Sequence, residues 1–192
     1  INFLSKIIKP DVGIITNISY AHIKNFKNIK EIALAKSEII QNIKENGYLV
    51  LNADDYFYSF HKKKALKRQL NVLSFGIKNK SSNIFLNLIK KEKLKYKIFI
   101  TFNNTNKYFY LNTCFENDIK NLLASITIIS IYKNIDKLDC NFFYNHKIPT
   151  GRGDISKIRL FNKNFYLIDQ SYNSNPLSLS SALKNLSMIK LN

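Results

Sequence analysis

The chain has 192 residues, 45% hydrophobic and 13% aromatic, and its 30 Lys and Arg against 13 Asp and Glu leave a net charge of +17. That composition excludes wholesale disorder, and no apolar run approaches the roughly 20 residues of a membrane-spanning helix. The charge invites a nucleic-acid partner. However, arginine, the better fork for phosphates and bases, occurs only at Arg68, Arg152 and Arg159, and the lysines are spread along the chain. A basic nucleic-acid-binding module therefore stands only as an alternative.

Residues 1–10 (INFLSKIIKP) read as part of a helix that ends before Pro10, because the residue preceding proline avoids helical geometry. Residues 12–15 are an apolar run suited to a buried strand. Thr16 and Asn17 make a polar turn, a loop carries His22, and a helix comes next with Ile29, Ile32, Ile39 and Ile43 at three-four spacing. Lys36 falls inside that stripe. An ammonium on a buried face is costly unless it is paired or neutralised; the plain alternative is a stem packed inward with its amine reaching to water. Gly47 stops the helix, residues 48–51 form a second strand, and Asn52, Ala53, Asp54 and Asp55 make a polar turn able to cap the next helix. The dense basic run HKKKALKR (61–68) reads as the solvated face of a helix, and residues 71–75 as a third strand closed by Gly76. Strands and helices alternating in this way predict an α/β fold with a parallel sheet.

From 83 to 112 the runs 84–86, 96–102 and 108–111, separated by Lys/Asn turns, predict a small antiparallel meander attached to that sheet. Residues 119–132 return to helix, with Ile119, Leu122, Leu123, Ile126 and Ile129 on one face. Asn117, Asp118 and Asn121 lie near its start, where such side chains cap or meet a ligand at the positive helix end. Residues 138–146 read as another helical segment and residues 150–153 (TGRG) as a turn. Residues 165–168 then form a strand that empties into Asp169, Gln170, Ser171, Tyr172, Asn173, Ser174, Asn175 and Pro176 before a helix near Leu177. Polar groups at the carboxyl end of a strand occupy the usual ligand edge of an α/β sheet. Cys114 and Cys140 form no paired spacing, which suggests neither a zinc site nor a disulfide framework and fits a reducing compartment.

In order and spacing, PDVGIITNISYAH, ALAKSEI, VLNADD, GR and IDQSYNSNP resemble the motifs of the Mur ligases. The last is similar to the DDxYNANP signature of the members that add D-alanyl-D-alanine. The resemblance covers nearly the whole chain and is weakest over 78–114. It implies an ATP-dependent amide ligase of cytoplasmic peptidoglycan precursor synthesis. Such an enzyme joins D-alanyl-D-alanine to UDP-N-acetylmuramoyl-tripeptide through an acyl phosphate, with Mg2+ holding phosphoryl oxygens and ADP and phosphate released.

The fold it implies is part of a P-loop-type central ATP-binding domain over 1–148, with a parallel sheet and a small antiparallel meander. The start of a Rossmann-like C-terminal domain occupies 149–192. On this resemblance His22 and Lys36, the latter as a carbamate, are catalytic and hold Mg2+. Asn121, Arg152, Asp169, Tyr172, Asn173 and Asn175 bind the nucleotide. A desolvated neutral amine can take up carbon dioxide, which would account for a lysine in an apolar stripe.

Asn117 and Asp118 depart from the family's His and Asn, Gln170 from its second Asp, and Ser174 from its Ala. The family's Gly-rich phosphate loop with its GKT and an acidic metal ligand would precede Ile1, and most of the C-terminal domain would come after Asn192. An internal fragment, monomeric and inactive alone, is therefore expected. The alternatives are a superfamily ligase with another amino acceptor, such as a folylpolyglutamate synthase type, and a non-catalytic homologue.

Overall fold

Strand β2 (Tyr48–Asn52) is buried on both faces, as its unbroken apolar run requires. Val50 points to one side of the sheet and Leu49 and Leu51 to the other, and each side has its own core. In a computed structural model, which describes residues 1–19, 26–93, 95–145, 149–172, 179–180, 182–184 and 186, the chain divides into two compact units, Ile1–Asn145 and His146–Asn192.

The first unit opens with helix α1 (Asn2–Ile8), which ends at Lys9 in the left-handed conformation just before Pro10. Strand β1 (Val12–Ile15) pairs in parallel with β2, and β2 in parallel with β3 (Asn71–Gly76). Strand β4 (Ile84–Glu92) continues the parallel order through Ile84 and Phe85 at the end of β3. It then pairs antiparallel with β5 (Lys95–Phe102), which pairs antiparallel with β6 (Thr105–Leu111). The result is one six-stranded sheet in the order β1-β2-β3-β4-β5-β6, the α/β fold with an attached meander that the sequence predicts. The meander strands are longer than predicted, because cross-strand pairing extends through residues 90–92 and 95–97, where lysines mask the apolar alternation.

Helix α5 (Glu116–Tyr132) covers one face, packing Ile119, Leu122, Leu123 and Ile126 against Val50, Phe75, Ile98, Ile100 and Phe109. Each such buried side chain contributes on the order of 1.5–3 kcal/mol of transfer free energy. The other face is covered by helices α3 (Ile39–Asn42) and α4 (Tyr58–Lys67), and helix α2 (Ile29–Ser37) leads into α3 and is bonded to α4 through its Ala33 carbonyl and Ser37. There Ile40, Ile43, Ala65 and Leu70 meet Ile15, Leu49 and Leu51. Helix α2 starts with a two-way cap: Asn28 accepts from the Glu31 N–H at 3.1 Å, and Glu31 accepts from the Lys27 N–H at 2.8 Å.

Three expectations need correction. The buried face over 29–43 is Ile32, Ala33, Ser37, Ile40 and Ile43, while Ile29 and Ile39 are half-buried. The helix is interrupted at Glu38, between α2 and α3, and Ala33, Ser37 and Ile40 join Ile32 and Ile43 of the predicted stripe on the buried face. Residues 138–145 are turns, not helix, after a single 3-10 turn at Ile135–Lys137. Asp139 accepts from the Asn141 N–H at 2.7 Å, a local bond that competes with helix formation. Finally, the basic run of α4 is not wholly solvated. The Lys64 amine bonds Ser37 at 2.8 Å, the Arg68 guanidinium bonds the Ile43 carbonyl at 3.1 Å, and buried His61 bonds the Ala33 carbonyl at 3.1 Å.

The second unit contains an antiparallel hairpin of β7 (Asp154–Leu160) and β8 (Lys163–Asp169). Strand β7 has no counterpart among the predicted elements; its side chains are mostly exposed, so no buried face marks it in the sequence. The connecting Phe161 and Asn162 both have positive φ, as a two-residue hairpin turn demands. The predicted helix start at Leu177 lies outside the described residues; Leu179, Ser180 and residues 182–184 are helical.

Candidate functional site

The parallel order of β1, β2 and β3 brings the loops that leave them to one edge of the sheet. Two neighbouring carboxylates in the loop after the middle strand tie the flanking loops together. Asp54 turns towards the β3 exit and accepts from the backbone N–H groups of Ile77 at 2.6 Å, Lys78 at 3.1 Å and Asn79 at 2.7 Å. Asp55 turns towards the β1 exit, accepting from Ile18 N–H at 2.7 Å on one oxygen and from Phe57 N–H at 2.8 Å on the other. The predicted cap of α4 is not made: among the described residues no side chain caps the helix at Phe57, and Asp55 instead accepts from the Phe57 N–H just before it. Sequence reasoning missed the long-range half of each role. An Asp pair directly after a central parallel strand is the available signal, since only such a strand has a loop on either side.

Lys36 lies in the last turn of α2, half-buried at the margin of the buried face. Its amine donates to the Asn17 carbonyl at 2.8 Å, in the segment leaving β1. Burial lowers the pKa of this amine below the ordinary lysine range, and the nearby Asp55 carboxylate partly opposes that shift. Its head is held on a backbone oxygen at the carboxyl edge. His22, the other predicted metal ligand, lies outside the described residues. Asn121 is exposed on the second turn of α5. Nearer the start of that helix, Thr113 donates to the Asp118 carboxylate at 2.9 Å and accepts from the Phe115 N–H at 3.2 Å.

The second unit brings three predicted residues together. Arg152 stands between Gly151 and Gly153, whose φ values of +80° and +100° suit glycine alone. A Cβ on Gly153 would lie 2.7 Å from the Gln170 side-chain nitrogen. The turn is closed by Asp154, which accepts from the Gly151 N–H at 2.7 Å, and is tied to the end of β8 by Gly153 N–H donating to the Asp169 carbonyl at 2.6 Å. Tyr172 N–H donates to the Gly151 carbonyl at 3.0 Å, and the Arg152 guanidinium lies 4.4 Å from the centre of the Tyr172 ring. The Asp169 carboxylate accepts from Ser171 N–H at 2.9 Å, and hydrogen bonding from the Ser171 backbone and side chain lowers its pKa. Asn173 and Asn175 lie outside the described residues.

Residues 2–129 match the Mur ligase middle domain. The chain belongs to the Mur ligase family. The UDP-N-acetylmuramoyl-tripeptide--D-alanyl-D-alanine ligase of Buchnera aphidicola subsp. Baizongia pistaciae is 32% identical over 192 residues, 98% of this chain and 40% of that protein. Among solved structures, MurF from Acinetobacter baumannii superposes with a TM-score of 0.83 at 23% identity, over 98% of this chain and 40% of that one. MurF from Thermotoga maritima in complex with ADP gives a TM-score of 0.79 at 22% identity, over 97% and 41%. The chain therefore spans about 40% of the length of the relatives it matches.

Among the described residues no group of three or more His, Cys, Asp and Glu gathers to hold a metal ion. The donor expected from the resemblance is of another kind. A protonated lysine cannot ligate, whereas its carbamate offers anionic oxygens of the sort Mg2+ prefers. Lys36, with its desolvated amine at the carboxyl edge, fits that chemistry.

Proposed function

We propose that this chain is part of an ATP-dependent amide ligase of cytoplasmic peptidoglycan precursor synthesis. The complete protein adds D-alanyl-D-alanine to UDP-N-acetylmuramoyl-tripeptide through an acyl phosphate, releasing ADP and phosphate, and works as a monomer. Residues 1–148 are the C-terminal part of its ATP-binding domain and residues 149–192 open a Rossmann-like C-terminal domain. The observation that carries this reading is Lys36, a lysine desolvated at the margin of a helix's buried face and held on the backbone that leaves β1. The 32% identity to a D-alanyl-D-alanine-adding ligase over 98% of the chain supports the choice of amino acceptor.

In this reading Lys36 as a carbamate and His22 hold Mg2+, which supplies charge neutralisation for the phosphoryl oxygens when bound. Lys36 contributes a donor whose position is set by α2 and by the Asn17 carbonyl. Arg152 presents a guanidinium fork suited to phosphate oxygens, held by the glycine-flanked turn and the Tyr172 ring. Asp169 stays ionised under its Ser171 hydrogen bonds and organises the loop that carries Tyr172, Asn173 and Asn175. Asn121, exposed near the start of α5, contacts the nucleotide.

The test is ADP release by the complete protein, required to depend on both UDP-N-acetylmuramoyl-tripeptide and D-alanyl-D-alanine. Preference for a single amino acid over the dipeptide overturns the assigned acceptor. ADP release by the 192-residue chain alone overturns its assignment as an incomplete site.

A further inference from the structure

The Asn17 carbonyl and the Ile18 N–H belong to one peptide unit, which is planar and trans, so the two groups point in opposite directions. Each is taken by a different element. The carbonyl receives the Lys36 amine from α2 at 2.8 Å, and the N–H donates to Asp55, from the loop after β2, at 2.7 Å. Gripped from both sides, this peptide cannot rotate about its neighbouring bonds without giving up a side-chain hydrogen bond at each end.

Asp55 is itself held. Its second oxygen accepts from Phe57 N–H at 2.8 Å, and its own N–H donates to the Asn52 carbonyl at 3.2 Å at the end of the buried strand β2. The chain of contacts therefore runs from the sheet core through Asp55 to a peptide of the β1 exit, and from that peptide to Lys36. Asp54, one residue earlier, has no part in it; its carboxylate is engaged by backbone N–H groups of residues 77–79.

We infer that Asp55 is a positioning residue: by holding the Ile18 N–H it fixes the peptide that receives the Lys36 amine, and so sets where Lys36 stands at the carboxyl edge. A carboxylate is needed because two N–H donors must be met by two separate oxygens. Asparagine at this position offers one acceptor and turns an amide nitrogen towards the other donor. The catalytic consequence rests on the ligase reading; the clamp itself does not.

Two arms test this, with Asp54→Asn as the control that removes the same charge one residue away. In the 192-residue chain, Asp55→Asn and Asp55→Ala should speed amide hydrogen exchange at Ile18 about tenfold or more, the scale of a lost hydrogen bond to a charged group. The core amide of Val50 and the behaviour of Asp54→Asn at Ile18 should stay unchanged. In the complete protein, Asp55→Asn should raise the Mg2+ concentration needed for half-maximal ligation about tenfold, as loss of a group that orients a metal ligand does. Excess Mg2+ should recover turnover, and Asp54→Asn should leave the requirement unaltered. Unchanged exchange at Ile18, or equal acceleration by Asp54→Asn, overturns the clamp; faster exchange with an unaltered Mg2+ requirement overturns the positioning role. A complete wild-type protein that releases no ADP overturns the ligase reading instead, and exchange at Ile18 still decides the clamp.

Discussion

The carboxyl edge of the first unit and the glycine-flanked turn of the second hold their functional side chains by different means. At the edge, Asp55 stands in the loop directly after buried strand β2 and Lys36 on a helix with a buried face, and their polar ends are fixed by long-range bonds to backbone. In the turn, Arg152 and Tyr172 are exposed, and the backbone conformation of Gly151 and Gly153 places them. In the first case position comes from packing, and in the second from dihedral angles. Damage to the first should therefore be read in stability as well as function, and damage to the second mainly in function.

The largest effect is expected in the core of the first unit, on the face covered by α5. Phe75→Ala, at a fully buried position, should lower unfolding free energy by about 3–5 kcal/mol in chemical denaturation. Phe165→Ala in the exposed hairpin, where Phe165 is 44% accessible, should stay within about 0.5 kcal/mol. Equal losses would remove the contrast between the two units.

Next comes Lys36→Ala in the complete protein, expected to cut ligation at least about 100-fold, as misplacement of a reacting group does. A small carboxylic acid should partly restore the rate by replacing the carbamate. The thermal midpoint of the variant separates lost chemistry from lost fold, and normal turnover would take Lys36 out of the metal site.

A smaller effect is expected for Gly153→Ala. Its positive φ predicts a local cost of about 1–3 kcal/mol, to which the approach to the flexible end of the Gln170 side chain adds little. Faster amide exchange at Gly151 and Tyr172, with unchanged exchange at Val50, is the expected signature. Loss of protection in the first unit would contradict the division into two units.

The mildest effect is a pH dependence centred on His61. Burial lowers its pKa below the ordinary value of 6.5, so the folded state keeps the ring neutral where the unfolded chain takes up a proton. The unfolded state then binds more protons, and stability falls as pH drops through 6.5 towards the lower folded value, while above 6.5 this group contributes no slope. Denaturation curves between about pH 7.5 and 5.5 should show the decline in wild type and a weaker one in His61→Gln.

The sequence is most readable where a single physical signal dominates. The apolar runs of β1, β2 and β3 and the three-four spacing of Ile119, Leu122, Leu123 and Ile126 lead directly to buried strands and a core helix. It is least readable where two signals compete. Adjacent Ile32–Ala33 and Ile39–Ile40 pairs allow two helix phases, and only the tertiary packing decides which residues are buried and leaves Lys36 at the margin. Strand β7, mostly exposed, carries no burial pattern at all.

The candidate site divides in the same way. In the sequence Lys36 stands out as an amine in an apolar stripe and Asp169 and Tyr172 as members of a polar loop after a strand, which are local features, whereas Arg152 is picked out only by the family resemblance. That Asp54 and Asp55 reach opposite neighbours, that Asp55 and Lys36 hold the same peptide, and that Arg152 lies over Tyr172 depend on strand order and loop return. Those partners lie 19 to 37 residues apart along the chain in the first unit. Side-chain chemistry names which groups can bond, but only the folded backbone brings a particular donor within reach of a particular acceptor.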